Sequence, residues 1–252
     1  MTANIKKSVR YQLNDLVRAV IIYYIIIVAV QILNLTVSYL INSSSAHILV
    51  VGNNTTVDIS TTVFLFVVGL ISFKENFGML IQNGFSRRAV LTGRLAAFGL
   101  AACAMTVIDR LLTLVCNAAG QATNTFASFT TFETVYGPGG FGWQLLGLLF
   151  TFAMYCALLM IGYCISLMFY RLNKLGKVLV GAGVPVLLLV VGPALDLNLT
   201  GGKVYTAIGH FFAVIFGFAE NQPWYAVASF AAITALATLF SWLLLRRATV
   251  RK

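Results

Sequence analysis

Residues 19–41 read AVIIYYIIIVAVQILNLTVSYLI, a stretch without a single Asp, Glu, Lys or Arg. As a helix it is ~35 Å long, more than the ~30 Å hydrocarbon layer of a bilayer. It is too long for the apolar part of a secretion signal and has no clear small-residue cleavage site. Runs of similar character recur at 59–73, 90–116, 143–170, 178–195 and 224–245. The repetition predicts an all-α integral membrane protein with six transmembrane helices.

Composition agrees. The chain is 60% hydrophobic and 10% charged, whereas a soluble domain carries about a quarter charged residues. Six spans leave no room for a soluble domain, so residues 1–252 read as a single transmembrane domain. The net charge of +10 acquires meaning only from its placement. Fifteen of the seventeen Lys and Arg fall before the first run, between the second run and Arg94 at the very start of the third, after the fourth or after the sixth. Arg110 is inside the third run and Lys203 is in the fifth connection. The positive-inside rule then puts both termini in the cytoplasm and makes the charge a topology signal, with no nucleic-acid partner implied.

The connections carry the finer expectations. Residues 1–18 place Ile5, Val9, Leu13 and Leu16 on one helical face among Lys6, Lys7, Arg10, Asp15 and Arg18. That pattern predicts an amphipathic helix lying along the inner interface before the chain turns into the first span. Between the second and third runs lies a basic segment, 74–89. Phe73, Phe77, Leu80 and Ile81 recur there at helical spacing, Gly84 breaks the pattern, and Ser86 can cap a new helix ahead of Arg87 and Arg88. It reads either as an ordinary positive loop or as a rigid foot that something in the cytosol can push. The second run is short and calls for a helix extended at one or both ends, with Asp58 able to cap its start. Gly181, Gly183, Pro185, Gly192 and Pro193 predict a kinked or broken fifth span. Residues 204–218, VYTAIGHFFAVIFGF, are too few to cross comfortably and suit an outer re-entrant element before the last span.

Polar residues within the runs are few. Gln31 and Asn34, three apart on the first span, serve either as hydrogen-bonding glue between helices or as part of a translocation path. Asp109 and Arg110 are the one charge pair inside a run. Adjacent helical residues point ~100° apart, so the two do not simply neutralise each other. They either line the outer translocation path or a subunit contact, with Arg110 meeting Glu133, Asp196 or Glu220, or lie at the outer headgroups where Arg110 snorkels. Cys103, Cys116, Cys156 and Cys164 all sit in apolar runs without metal or redox spacing. His47 and His210 are too far apart to argue for a metal. No phosphate loop, HExxH or GxSxG occurs, so the chain reads as a non-enzyme without its own ATPase, cofactor or metal.

Taken together, six spans, cytoplasmic ends, an amphipathic start, the basic foot NFGMLIQNGFSRRAVLTGR at 76–94 and the short element before the last span form a pattern. It resembles an ATP-binding-cassette exporter permease of the type-2 (type V fold) class, of the small kind found in Gram-positive bacteria. The likeness covers the whole chain as an architecture, and the foot is its most characteristic part. It implies that 74–89 is a coupling helix docked on a separate ATPase, with Glu75, Phe77, Leu80 and Ile81 in the contact and Arg87 and Arg88 at its rim. It further implies two ATPase subunits that bind ATP and Mg, a second identical or homologous permease chain, and outward transport of a peptide, lantibiotic, drug or lipid-like amphiphile across a bacterial cell membrane. Two other classes share parts of the pattern: a non-transporting receptor or immunity subunit, and the substrate-binding subunit of an energy-coupling importer. The importer reading requires a compact outer ligand pocket and no large basic foot.

Overall fold

The computed structural model describes residues 2–44, 55–123, 129–218 and 220–246, with side chains over 7–40, 57–73, 77–122, 129–218 and 220–246. His47, Arg247, Arg251, Lys252 and the side chain of Glu75 lie outside these. The elements are α1 (Thr2–Ser44), α2 (Thr55–Gln82), α3 (Arg87–Thr123), α4 (Thr131–Tyr136), α5 (Phe141–Arg171), α6 (Lys174–Leu199), α7 (Lys203–Ile215) and α8 (Pro223–Arg246). Among the described residues there is no strand, and six helices, α1, α2, α3, α5, α6 and α8, are long and apolar enough to cross a membrane. At 13 residues, α7 is ~20 Å long and by itself too short to do so.

The helix ends correct two expectations. No turn separates 1–18 from the first apolar run, because α1 is one helix of 43 residues. Its basic start is packed on α3 through Ser8, Gln12 and Leu16 rather than through the apolar stripe of Val9 and Leu13. The cause is Gly93 on α3, where a Cβ would lie 2.6 Å from Ser8 Oγ. Only small or polar side chains fit so close a crossing. Gln12 Nε2 then donates to Ser8 Oγ at 2.9 Å and to the Val90 carbonyl at 3.3 Å.

The foot, likewise, is not a separate helix. Residues 74–82 continue α2, and the break comes only at Gly84, with φ +77°. Phe85 N–H donates to the Leu80 carbonyl at 3.1 Å and Gly84 N–H to the Ile81 carbonyl at 3.0 Å. This is a Schellman close, in which the residue after the left-handed glycine packs back on the last turn. Phe85 does so, against the core that holds Leu80. Ser86 Oγ then accepts from Ala89 N–H at 3.2 Å and caps α3. The result is a stiff helix–turn–helix.

The bundle is organised around α5, flanked by α2 and α8, with α3 bridging α5 and α1. Tyr155, Leu159, Met160, Tyr163 and Leu167 on α5 are all fully buried. The α2–α5 contact is closest at a pair of facing glycines. A Cβ at Gly69 would lie 2.5 Å from the Leu159 carbonyl oxygen, and one at Gly162 would lie 2.5 Å from the Phe66 carbonyl oxygen. Backbones in such contact gain dispersion along their whole length, the main source of helix association where the surroundings are as apolar as the side chains.

Sequence expected α6 to kink or break; it stays helical from Lys174 to Leu199, with its hydrogen-bond ladder altered beside the prolines. Two π-helical segments, Leu179–Gly183 and Leu187–Val191, precede Pro185 and Pro193 respectively. Proline cannot donate and its ring collides with the carbonyl four residues earlier; a widened turn accommodates both problems. Apart from its own turns, α6 packs mainly on α7, and its leucines are exposed, Leu189 by 76%.

The glycine crossing gives a direct test. Gly162→Leu places a branched side chain against backbone that cannot yield, and overpacking of this kind costs about 1–3 kcal/mol or more. The expected result is a lower melting temperature in detergent and loss of the monodisperse peak on size exclusion. Wild-type behaviour would show that the α2–α5 approach is looser than described.

Candidate functional site

Two clusters lie at opposite ends of the bundle. At the first end the start of α1, the α2–α3 turn and the close of α8 meet. Tyr11 O–H donates to Met79 Sδ at 2.9 Å, joining α1 to α2. Arg87 Nη1 donates to the Arg246 carbonyl at 2.5 Å and the Leu245 carbonyl at 3.5 Å, satisfying carbonyls that α8 leaves open at its C-terminus. Arg88 lies 5.7 Å over the Trp242 ring. Both arginines expected at the rim of a partner groove therefore also clamp α3 to α8.

This geometry revises the contact expected at the foot. Phe77 and Leu80 are 2% and 3% exposed. Phe77 stacks on Phe73 at 4.8 Å and meets Tyr170 edge-on at 6.0 Å. A side chain enclosed by its own chain does not also enter another protein's groove, so these two residues are structural. Ile81 is half-buried against the same core. The surface left at the tip consists of exposed Met79, Gln82, Asn83, Gly84 and Ser86, with Phe85 half-exposed.

At the second end, buried polar groups from five helices are tied together. The Asp109 carboxylate, 1% exposed, accepts from Tyr24 O–H at 2.8 Å on Oδ1 and from Tyr155 O–H at 2.6 Å on Oδ2. Thus α1, α3 and α5 converge on one carboxylate. Beside it Tyr23 Oη and Thr61 Oγ1 share a hydrogen bond of 2.8 Å, and Tyr23 stacks on Phe64 at 4.3 Å, joining α1 to α2. Arg110 points elsewhere, as its position ~100° around the helix requires. Its guanidinium meets Glu133 Oε1 at 3.2 Å. Of the three acids that sequence offered Arg110, the structure uses the one on α4.

Glu133 does two jobs. Its Oε2 accepts from Thr130 N–H at 3.0 Å while Thr130 Oγ1 accepts from Glu133 N–H at 3.2 Å, a reciprocal capping box. Asp58, expected to cap its own helix, reaches across instead: Oδ2 accepts from Thr131 N–H at 2.8 Å. The short α4 is thereby anchored to α2 by Asp58, to α3 by Arg110, and to the segment after α7 by Tyr136 O–H donating to the Phe216 carbonyl at 2.5 Å. Burial pushes the Tyr136 hydroxyl up to about 12, so it remains a donor throughout the neutral range.

Gln31 and Asn34 do not act together: Gln31 faces inward at 6% exposure, and Asn34 faces outward. Tyr24, Tyr155 and Thr61 were not visible as site residues in the sequence, since nothing local marks a tyrosine in an apolar run as the partner of an acid 85 or 46 residues away. A cavity of ≈ 510 Å³ lies between the end of α7 and α8, lined by Val214, Ile215, Tyr225, Ala228 and Ser229, with Glu220 its one charged group. Among the described residues no cluster of His, Cys, Asp and Glu could hold a metal.

The pair at α4 can be weighed by a double-mutant cycle of Arg110→Ala and Glu133→Ala, read from thermal or denaturant stability in detergent. Exposed ion pairs couple by about 0.2–1 kcal/mol. Side chains only 17% and 16% exposed should couple above that range, and a coupling near zero would make α4 independent of the pair. Comparison with protein-family models, with curated proteins and with solved structures found no match.

Proposed function

We propose that the chain is the membrane-spanning permease subunit of an ATP-binding-cassette exporter, moving a peptide, lantibiotic, drug or lipid-like amphiphile outward. The observation that carries the reading is the α2–α3 helix–turn–helix. A Schellman close and a serine cap leave no slack between two helices that run the length of the bundle. A push on the turn is therefore transmitted along α3 to Asp109 and Arg110 at the other end. The basic end faces the cytoplasm, where the first part of α1 lies at the inner interface as an extension of the first span. Two copies of an ATPase subunit, which bind ATP and Mg, dock on the tip formed by Met79, Gln82, Asn83 and Phe85. A second permease chain, identical or homologous, completes the pathway.

In this scheme ATP-driven closure of the ATPases biases a two-state membrane assembly. The polar network is the element that must rearrange. The Asp109 bonds to Tyr24 and Tyr155 hold α1, α3 and α5 at one level, and α4 with the segment after α7 covers the outer end. The ≈ 510 Å³ cavity beside Glu220 has the size and apolar lining of a small-ligand site, which suits an amphiphilic cargo.

The test is affinity purification of the tagged chain from its native membrane, with magnesium-dependent ATP hydrolysis measured in the eluate. Wild type should bring down an ATPase. Phe85→Asp, at the tip, should lose it while still reaching the membrane in full amount. A chain that elutes without any nucleotide hydrolysis, or a variant that keeps all of it, counts against the reading. A second measurement addresses the topology. Cysteines introduced at Lys203 and Glu220, the two sides of α7, should both react with an impermeant thiol reagent added outside. Reaction of only one would make α7 part of a crossing.

A further inference from the structure

The ≈ 510 Å³ cavity between the end of α7 and α8 has an ordered lining. Tyr225, Ala228, Ser229 and Ala232 stand at i, i+3, i+4 and i+7, which is one face of α8, and Val214 and Ile215 line the cavity from α7. From Pro223 to Ala232 that face runs ~14 Å along the helix. Its start is polar and aromatic, with exposed Trp224 and Tyr225 close in the chain to Glu220, and its far end is bare alanine. Exposed Trp and Tyr favour the level of the headgroups. The cavity therefore runs from a charged mouth at that level into an apolar cleft.

Glu220 differs from the other acids at this end of the bundle. Asp58 accepts from Thr131 N–H, Asp109 from two tyrosines, and Glu133 holds Arg110. Asp196 accepts from the Val204 and Tyr205 N–H groups at 3.1 and 2.9 Å and so caps α7. Glu220 makes no hydrogen bond or ion pair among the described residues. No Lys or Arg lines the cavity, and Lys203, at the opposite end of α7, is ~18 Å from Ile215 along the helix. His210 lies one turn before Val214 and outside the lining. The Ser229 hydroxyl is committed to the Ile215 and Tyr225 carbonyls at 2.8 and 2.7 Å. An occupant thus meets one negative charge, one aromatic ring and an apolar wall.

We infer that this cavity is a binding site for a lipophilic cation, a single positive charge carried on an apolar body. The charge sits by Glu220 and the Tyr225 ring, and the body lies against α7 and α8. A carboxylate attracts a cation and repels an anion, and the face of an aromatic ring acts with the same sign. A lipid tail fills an apolar cleft without regard to charge, so the unpaired carboxylate is what separates the two occupants. The inference deepens the exporter reading, on which it rests for the occupant being cargo, and commits that cargo to one sign of charge.

The experiment is equilibrium binding of tetraphenylphosphonium and tetraphenylborate, ions of nearly equal size and opposite charge, to the purified full chain in detergent. Mildly alkaline buffer keeps imidazoles neutral. After subtraction of uptake by empty micelles, wild type should bind the cation ~10-fold or more tightly than the anion. Glu220→Gln, at an exposed position without hydrogen bonds, should keep the melting temperature and bring the two ions within ~2-fold of each other. Ala232→Phe, which fills the apolar end from an exposed position, should weaken the cation by ~10-fold or more. Equal binding of the two ions by wild type overturns the proposal and leaves a cleft for lipid tails. A preference that survives Glu220→Gln overturns it too, as does cation binding undiminished in Ala232→Phe. The measurement needs no ATPase, so its failure is distinct from that of the affinity purification. A chain that brings down an ATPase yet binds both ions alike loses the cation and keeps the exporter reading.

Discussion

The backbone contact between α2 and α5 at Gly69 and Gly162 is the constraint from which the rest of the bundle follows. In a bilayer apolar side chains gain nothing by leaving lipid for protein, so helices associate through close packing and hydrogen bonds. Two glycines facing one another bring α2 and α5 near enough for their backbones to touch. Tyr163 and Phe73 then meet edge to face at 5.7 Å, and Tyr155 is carried to the level of Asp109. Gly93 repeats the device between α1 and α3, and it is this second crossing that brings Tyr24 within 2.8 Å of the same carboxylate. The polar network is a product of glycine placement.

That dependence also explains why the charges are distributed as they are. An acid in the centre of a bundle is stable only if donors are held toward it before it arrives, and tyrosines on rigid, closely packed helices meet that condition. Asp109 therefore needs no cation. Arg110 is left to pair with Glu133, which sits on a separate short helix fixed by its own capping box. Neighbouring residues on one helix thus report on different parts of the molecule: Asp109 on α1 and α5, Arg110 on α4.

The six long apolar helices were legible in the sequence because hydropathy is a local property, readable in a window of about twenty residues. So were the Gly84 break and the Ser86 cap, whose chemistry involves only neighbours in the chain. What depended on a distant partner was not legible. The apolar spacing of Phe77 and Leu80 is the same whether they face another protein or Tyr170, and only the fold reveals the second. The stripe on α1 shifted from Val9 and Leu13 to Ser8 and Gln12 because Gly93, 85 residues away from Ser8 by number, opens a groove there. Gln31 and Asn34 share a face by count, yet the buried arc of α1 is narrow enough to take one and leave the other.

The clamp of Arg87 on the last carbonyls of α8 joins residues 159 apart in sequence. A nascent chain delivers α3 long before α8 exists, and during that interval the guanidinium lacks the α8 carbonyls it holds in the finished bundle. Closure of the bundle at this end is therefore a late step in biogenesis, completed only when α8 has been made. Until then the half-built bundle is open along one side, and that seam alone distinguishes an unfinished chain from a finished one.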